Sequence, residues 1–177
     1  MPKFRDSIVL PDNTVISGAE DLGGGDAFSS QLLHVRDEKT ASTEGGTFTS
    51  GDWRTRTLNT SVTNEITGAS LATDQVTLPA GDYFARWWAP VYSVERHSSR
   101  LQDVDTPATL LISRAAYSPS GSAGAQPSTG EGRFTLASET VVELQHRCSV
   151  TRNTDGLGVA GTFQTEVFAD LLIWKVG

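Results

Sequence analysis

The distribution of apolar residues leaves this chain almost no room for helices. Nowhere in its 177 residues do apolar side chains recur at spacings of three, four and seven over the roughly ten residues that an amphipathic helix needs. Short runs rich in Val, Ile, Leu, Thr and aromatic residues alternate instead with Gly, Pro, Ser, Asn and Asp. This pattern is typical of antiparallel strands joined by tight turns. The sequence therefore predicts an all-β chain.

Ten strands are predicted from these runs, which favours an antiparallel jelly-roll sandwich. They lie near residues 31–36, 47–49, 53–58, 75–78, 82–94, 97–103, 108–117, 133–137, 140–149 and 163–176. The segment Leu78-Pro79-Ala80-Gly81-Asp82 predicts a hairpin turn, because proline presets φ at the second position and glycine suits the fourth. Residues 118–132, which read SPSGSAGAQPSTGEG, predict a surface loop.

Charge and composition disfavour several classes of function. A formal net charge of -7 opposes binding to a phosphate backbone, so no nucleic-acid partner is expected. The only cysteine, Cys148, has no intramolecular disulfide partner, and the polar residues 1–6 lack the apolar core of a signal peptide. We therefore expect synthesis in the cytoplasm. No segment approaches the ~20 apolar residues of a membrane span.

Residues 1–30 differ in composition from the rest of the chain. Two small apolar patches, Ile8-Val9-Leu10 and Val15-Ile16, lie among prolines and charges, and Gly23-Gly24-Gly25 follows them. This composition suits an arm that becomes ordered only against another surface. The sequence thus predicts an N-terminal arm over 1–30 and one domain over 31–177. The alternative is a tail packed on its own domain.

Two predicted strands are apolar on both faces. Between residues 82 and 94 one face carries Phe84, Trp88 and Tyr92, and the closing strand has the same two-faced pattern. A strand in a two-sheet sandwich has only one covered face, so the other needs a second chain or the arm. Homo-oligomerisation is the prediction. The face predicted to contact other copies carries Tyr83, Ala85, Trp87, Ala89, Val91, Val167, Ala169, Leu171 and Ile173.

Several segments resemble one jelly-roll superfamily. Residues 76–84, with the pattern apolar, Pro, x-Gly, x-Tyr-Phe, look like the entry to a central strand of the tumour-necrosis-factor-like and complement-globular-head-like domains. Residues 132–136 followed by 141–145 resemble the penultimate hairpin region of that family. Residues 163–176 are similar to its closing strand, which in the family lies against the trimer axis. The resemblance implies a homotrimer.

Other segments resemble the tail-fibre and head-fibre jelly rolls of bacterial viruses. These are residues 52–59, 143–148 and 173–176, within a likeness that covers about residues 31–177. The resemblance implies a non-enzymatic virion protein, made in the bacterial cytoplasm, whose arm binds capsid or tail proteins and whose heads face the host. The candidates for attachment to the virion are Ile8, Val9, Leu10, Val15 and Ile16. The candidates for contact with host surface polysaccharide are Arg96, His97 and Arg100.

No catalytic or cofactor site is predicted. Residues 156–161 match G-x-G-x-x-G but lack the strand, helix and βαβ context of a dinucleotide site. His146 and Cys148 share a strand face, where packing is favoured over a thiol–imidazole pair. Asp103 and Asp105, near a strand end, are the only candidates for Ca²⁺, and a solvated loop is the commoner explanation.

Two questions stay open at the level of sequence. Arg86 interrupts an apolar strand, either to set register or bind an anion at a trimer interface, or to reach water at an edge. The alternative function is a carbohydrate-binding module of the same architecture, in which Trp87, Trp88 or Tyr92 stacks on a pyranose. An esterase or depolymerase would need a convergent nucleophile and base, which the sequence does not indicate.

Overall fold

The computed structural model describes residues 31–121 and 126–176, together with two short strands before them. In chain order the strands are β1 (Ile8–Val9), β2 (Val15–Ile16), β3 (Leu32–Lys39), β4 (Arg54–Thr55), β5 (Thr60–Asn64), β6 (Ser70–Ala72), β7 (Gln75–Leu78), β8 (Gly81–Ala89), β9 (Glu95–Asp103), β10 (Ala108–Ile112), β11 (Ala116–Ser118), β12 (Ser128–Leu136), β13 (Thr140–Cys148) and β14 (Glu166–Lys175). The ten predicted strands are therefore too few. The described part of the chain contains no helix, and hence none long and apolar enough to cross a membrane.

Two antiparallel sheets form the domain. The five-stranded sheet has the order β12-β8-β14-β3-β5, and the seven-stranded sheet has the order β10-β9-β13-β7-β6, with β11 paired to β9 and β4 to β13. From β7 to β9 and from β11 to β14 the chain passes repeatedly between the sheets. This connectivity is that of a jelly roll, so the predicted all-β jelly-roll class is confirmed.

Side-chain alternation builds one large core between the sheets. From the five-stranded sheet, Tyr83, Trp87 and Leu171 are at most 1% exposed, and they belong to the same buried cluster as Leu101 and Leu144 from the other sheet. Each such side chain contributes about 1.5–3 kcal/mol by leaving water. The indole nitrogen of Trp87 keeps a partner, because Nε1 donates to Ser99 Oγ at 2.7 Å.

The face that was predicted to contact other copies is in fact the inner face of the sandwich. The residues buried inside their own chain are Tyr83, Ala85, Trp87, Ala89, Val91, Ala169, Leu171 and Ile173, all at most 3% exposed. Val167 is half-buried. For the eight buried residues the prediction of a trimer interface is corrected, because a side chain enclosed inside its own chain cannot reach a second molecule; for Val167 it stays a prediction. The opposite face of β8 and β14 is the one that remains outside.

The turn at residues 78–81 lies where the sequence predicts it but joins different partners. β7 ends at Leu78 and β8 begins at Gly81, and the Tyr83 hydroxyl donates to the Pro79 carbonyl at 2.7 Å. However, β7 pairs with β6 and β13, whereas β8 pairs with β12 and β14. The predicted hairpin is therefore wrong. Turn chemistry specifies a reversal of the chain, not which strands then bond to each other.

Much of the predicted loop at 118–132 is strand. Ser118 ends β11, and β12 pairs with β8 from Ser128 opposite Ala89 to Leu136 opposite Gly81. Packing against Trp87 leaves no room for a side chain at Gly130, because a Cβ placed there would lie 2.0 Å from Cζ2 of the indole. Glycine inside a strand commonly marks such a close approach.

We expect Gly130→Ala to lower the free energy of unfolding by about 1–3 kcal/mol, because the new methyl group overlaps a rigid buried ring. Urea unfolding followed by circular dichroism measures this loss. Gly161→Ala is the matched control, since its Cβ would lie 3.5 Å from Glu166 Oε2, at ordinary contact distance. Equal midpoints for the two variants would contradict the packing role of Gly130.

The predicted arm lies largely outside the described residues. Within it, β1 pairs with β2 in antiparallel register, with Ile8 opposite Ile16 and Val9 opposite Val15. Leu10 and the side chains of these four residues lie outside the description. The division into an arm over 1–30 and a domain over 31–177 therefore stays a prediction.

Candidate interaction surface

The outer face of the five-stranded sheet carries a stripe of large apolar side chains, which we call the apolar stripe. It consists of Phe84 and Trp88 from β8 and of Leu172 and Trp174 from the adjacent strand β14. They point outward because they alternate with the core residues of the same strands. Phe84 and Trp174 are opposite each other in the register, with ring centroids 5.9 Å apart.

The apolar stripe is accessible to another molecule. Trp88 is 40% exposed, and the other three side chains are half-buried. A groove of about 730 Å³ runs beside them, and its far wall includes Ile112, which is 66% exposed. Large apolar side chains grouped beside a groove are typical of a surface that another chain covers.

Charged side chains reach from the outer face of β8 toward β12. Arg86 belongs to β8 itself, between Phe84 and Trp88, and lies opposite Leu172 in the register. Arg86 Nε lies 3.8 Å from Glu131 Oε2, and Arg114 Nη2 lies 3.5 Å from Glu131 Oε1. Two arginines thus share one carboxylate, and all three side chains are about half exposed or more. Arg86 therefore points away from the core and toward water, so it needs no buried partner within its own chain. Its role at an interface stays a prediction.

A second charged group borders the stripe on its β3 side. His34 Nε2 lies 2.5 Å from Asp170 Oδ1, and Arg36 Nε lies 3.5 Å from Asp170 Oδ2. Asp170 lies opposite Trp88 in the register. Arg86 and Asp170 therefore interrupt the apolar stripe, and their side chains pair outward, toward β12 and β3 respectively. An apolar centre with a polar rim is the usual composition of a protein–protein interface.

The three predicted host-contact residues lie on strand β9 and do not form one patch. Arg96 is exposed and Arg100 half-buried, both on the outer face of the seven-stranded sheet. His97, between them, faces the interior and is 4% exposed. His97 is therefore corrected to a core residue, because alternation along a strand sends adjacent side chains to opposite faces.

Two buried histidines and the only cysteine form part of a small second core. His97 Nδ1 lies 3.1 Å from His146 Nε2, and the His146 ring packs on Phe48 at 4.9 Å between centroids. The Cys148 thiol donates to the Val150 carbonyl at 3.4 Å, not to an imidazole. Burial raises the pKa of this thiol to about 11. The group packs as a core and holds no thiolate at neutral pH.

Because these two histidines are buried, we expect the free energy of unfolding to fall in mild acid. Burial lowers the pKa of His97 to about 4 and that of His146 well below 6.5. Between pH 6.5 and 5 the unfolded chain therefore takes up protons that the folded chain does not, and the free energy of unfolding falls. Urea midpoints at pH 7, 6 and 5 measure the slope. His97→Gln should reduce it, and an unchanged slope would contradict this explanation.

Asp103 and Asp105 close the turn between β9 and β10. Asp103 Oδ1 accepts hydrogen bonds from the backbone N–H groups of Asp105 at 2.8 Å and Thr106 at 3.0 Å. Asp105 Oδ2 accepts from the Val141 N–H at 2.9 Å. The hydrogen bonds from Thr106 lower the pKa of Asp103. Both carboxylates thus have backbone hydrogen-bond partners, Asp103 in the turn and Asp105 on β13. Among the described residues no group of three or more His, Cys, Asp or Glu side chains could hold a metal ion.

The aromatic residues named for stacking on a sugar occupy different environments. Trp87 is 1% exposed and cannot present its ring to a ligand. Trp88 belongs to the apolar stripe, and together with Tyr92 it also lines a smaller cleft of about 380 Å³.

The G-x-G-x-x-G run at 156–161 lies in the connection between β13 and β14, with no helix after it in the described part. Three residues that were not among the predicted site residues also reach the surface: Arg147 is exposed, and Trp53 and Trp174 are half-buried.

Comparison with known proteins shows the fold. No family model matches the chain, and no curated protein sequence matches it. Among solved structures, the crystal structure of murine APRIL at pH 8.0 matches at a TM-score of 0.54 and 13% identity, covering 82% of this chain and 98% of that chain. The globular domain of zebrafish complement 1qA matches at 0.51 and 15%, covering 83% and 97%. The chain therefore has the jelly-roll fold of the tumour-necrosis-factor-like and complement-head structures, as its sequence predicts.

Proposed function

We propose that this chain is a non-enzymatic structural protein that assembles as a homotrimer through the outer face of its five-stranded sheet. The observation that carries this proposal is the apolar stripe of Phe84, Trp88, Leu172 and Trp174, bordered by charged groups. Burying a large apolar side chain contributes about 1.5–3 kcal/mol, so four of them in each copy supply a substantial driving force. The jelly-roll likeness supports the same assembly.

The charged groups beside the apolar stripe differ between its two sides. The β12 border of the stripe carries Arg86 and Arg114 against one glutamate, whereas the β3 border contains Asp170. The β3 side also carries His34 and Arg36, which hold Asp170, so both sides contain charges of each sign. We take the threefold symmetry from the resemblance to the tumour-necrosis-factor-like domains, whose closing strand lies against the trimer axis.

We place the trimer in a virus particle, as a tail-fibre, head-fibre or decoration component. Supporting this role are the resemblance of residues 52–59, 143–148 and 173–176 to bacterial-virus fibres and the arm-like composition of residues 1–30. The arm would attach to capsid or tail proteins and leave the jelly-roll heads facing outward. Three linked arms bind more tightly than one, because the second and third attachments are intramolecular.

Immunogold labelling of virions released by cells that carry the coding sequence tests the virion role. We expect label on the particles, and we expect deletion of residues 1–30 to remove it while the heads still form trimers. Label confined to cells, with unlabelled particles, would overturn the virion role and leave the trimer untouched. The oligomeric state has its own test in the Discussion.

A further inference from the structure

The outer face of the seven-stranded sheet holds a second surface cleft, of about 490 Å³. It lies where β9 and β13 pair, with Arg147 opposite Ser98 in the register. Its wall includes one aromatic ring, two arginines and several serines: Trp53, Arg96, Arg147, Ser50, Ser98 and Ser149. This Trp53 cleft is on the opposite sheet from the apolar stripe, so trimer formation through the stripe leaves it open.

The Trp53 ring is held in place by a fixed cation. The guanidinium carbon of Arg100 lies 4.2 Å from the centroid of the indole. Arg100 itself is anchored, because Nε donates to Gln145 Oε1 at 2.7 Å and Nη1 donates to Thr109 Oγ1 at 3.0 Å. The indole is therefore an oriented platform, which loses little conformational freedom when a ligand stacks on it.

The two arginines of the cleft lack acidic partners. Arg96 and Arg147 are exposed, and no carboxylate oxygen lies within 4.0 Å of either guanidinium among the described residues. Neighbouring carboxylates are used elsewhere: Glu143 accepts from Thr55 Oγ1, and Glu95 accepts from the Ser120 N–H. On a chain with a net charge of -7, this is a local positive surface with free hydrogen-bond donors.

We propose that the Trp53 cleft binds an anionic saccharide. Trp53 would stack on the apolar face of a pyranose ring, as an aromatic side chain can, and the serine hydroxyls would bond sugar hydroxyls. Arg96 and Arg147 would bind a carboxylate or sulfate group, because the guanidinium fork matches the geometry of both anions. A nucleic acid fits less well, since it needs a longer positive track than two arginines and is repelled by the net charge.

Fluorescence and calorimetric titrations of the full chain with three probes test this proposal. The probes are oligogalacturonate, which is carboxylated, dextran sulfate and neutral dextran. We expect saturable binding of at least one anionic probe and none of neutral dextran. Binding of oligogalacturonate alone assigns a carboxylated sugar, and binding of dextran sulfate alone assigns a sulfated one. Failure of both anionic probes, or equal binding of neutral dextran, overturns the proposal.

Matched variants locate the binding to the cleft. We expect Arg96→Gln/Arg147→Gln, and separately Trp53→Ala, to raise Kd at least about tenfold, because each removes direct contacts with the ligand. Arg152→Gln is the charge control: its side chain is exposed and paired with Asp155, and it does not line the cleft. An equal loss in this control, or undiminished binding by the cleft variants, overturns the assignment. Far-ultraviolet circular dichroism and the oligomeric mass confirm that each variant is folded.

Discussion

Trp88→Glu should convert the protein from a trimer to a monomer. Light scattering should give about 57 kDa for the unmodified chain, three times its 18.9 kDa, and about 18.9 kDa for the variant. The physical reason is that each copy would place a carboxylate opposite Asp170, where burying both like charges at an interface costs several kcal/mol.

The matched control for this variant is Phe163→Glu. Phe163 is 93% exposed in the connection between β13 and β14. The variant therefore replaces an aromatic ring with a carboxylate, as Trp88→Glu does, but outside the apolar stripe. We expect this variant to remain at about three times 18.9 kDa. An unmodified chain that is monomeric at micromolar concentration would contradict the trimer. Dissociation of the Phe163→Glu trimer, with Trp88→Glu still trimeric, would show that the interface does not include the apolar stripe.

Arg56→Ala should destabilise the monomer by about 1–3 kcal/mol, the usual cost of leaving buried hydrogen-bonding groups without a partner. Arg56 is 1% exposed, and burial lowers its pKa to about 10, which still leaves it charged at neutral pH. Its guanidinium donates to the carbonyl of Phe168 and, at 3.4 Å, to that of Leu157. Asp37 is also fully buried, its carboxylate oxygens have no hydrogen-bond partner, and burial raises the pKa of that carboxyl.

The double variant Asp37→Leu/Arg56→Met separates the charge from the packing. The variant removes both buried charges and replaces them with apolar side chains, so it should recover most of the stability that Arg56→Ala loses. Urea unfolding at pH 7 measures both changes. A loss below about 1 kcal/mol for Arg56→Ala would show that the guanidinium contributes no more than an ordinary hydrogen bond.

Local patterns in the sequence predict most of the strands. The segment 75–78 coincides with β7, and the predicted strands at 97–103 and 140–149 differ from β9 and β13 by two residues or fewer at each end. Strands β5 and β6 are missed, because their polar residues do not show a continuous apolar pattern. In the predicted strand at 47–49, Phe48 makes only an isolated bridge with Arg152.

The candidate surfaces were harder to predict than the strands. The sequence selects Arg96 and Arg100 but not Trp53 or Arg147, because these four residues come from different strands and loops. Pairing of β9 with β13, and the stacking of Arg100 on Trp53, bring them onto one face. Likewise, the burial of Asp37 and of Arg56 has no local signal, since each residue alone is an ordinary charge in a polar run.

The sequence by itself determined that this chain is all-β and that two of its strands have apolar residues on both faces. Only the tertiary structure decided which face is inside: Trp87 and Leu171 fill the core, and Trp88 and Leu172 remain on the surface. The reason is that alternation along a strand has a period of two residues and is a local property. The direction of each face depends on hydrogen-bonded neighbours and on the opposing sheet, which come from distant parts of the chain.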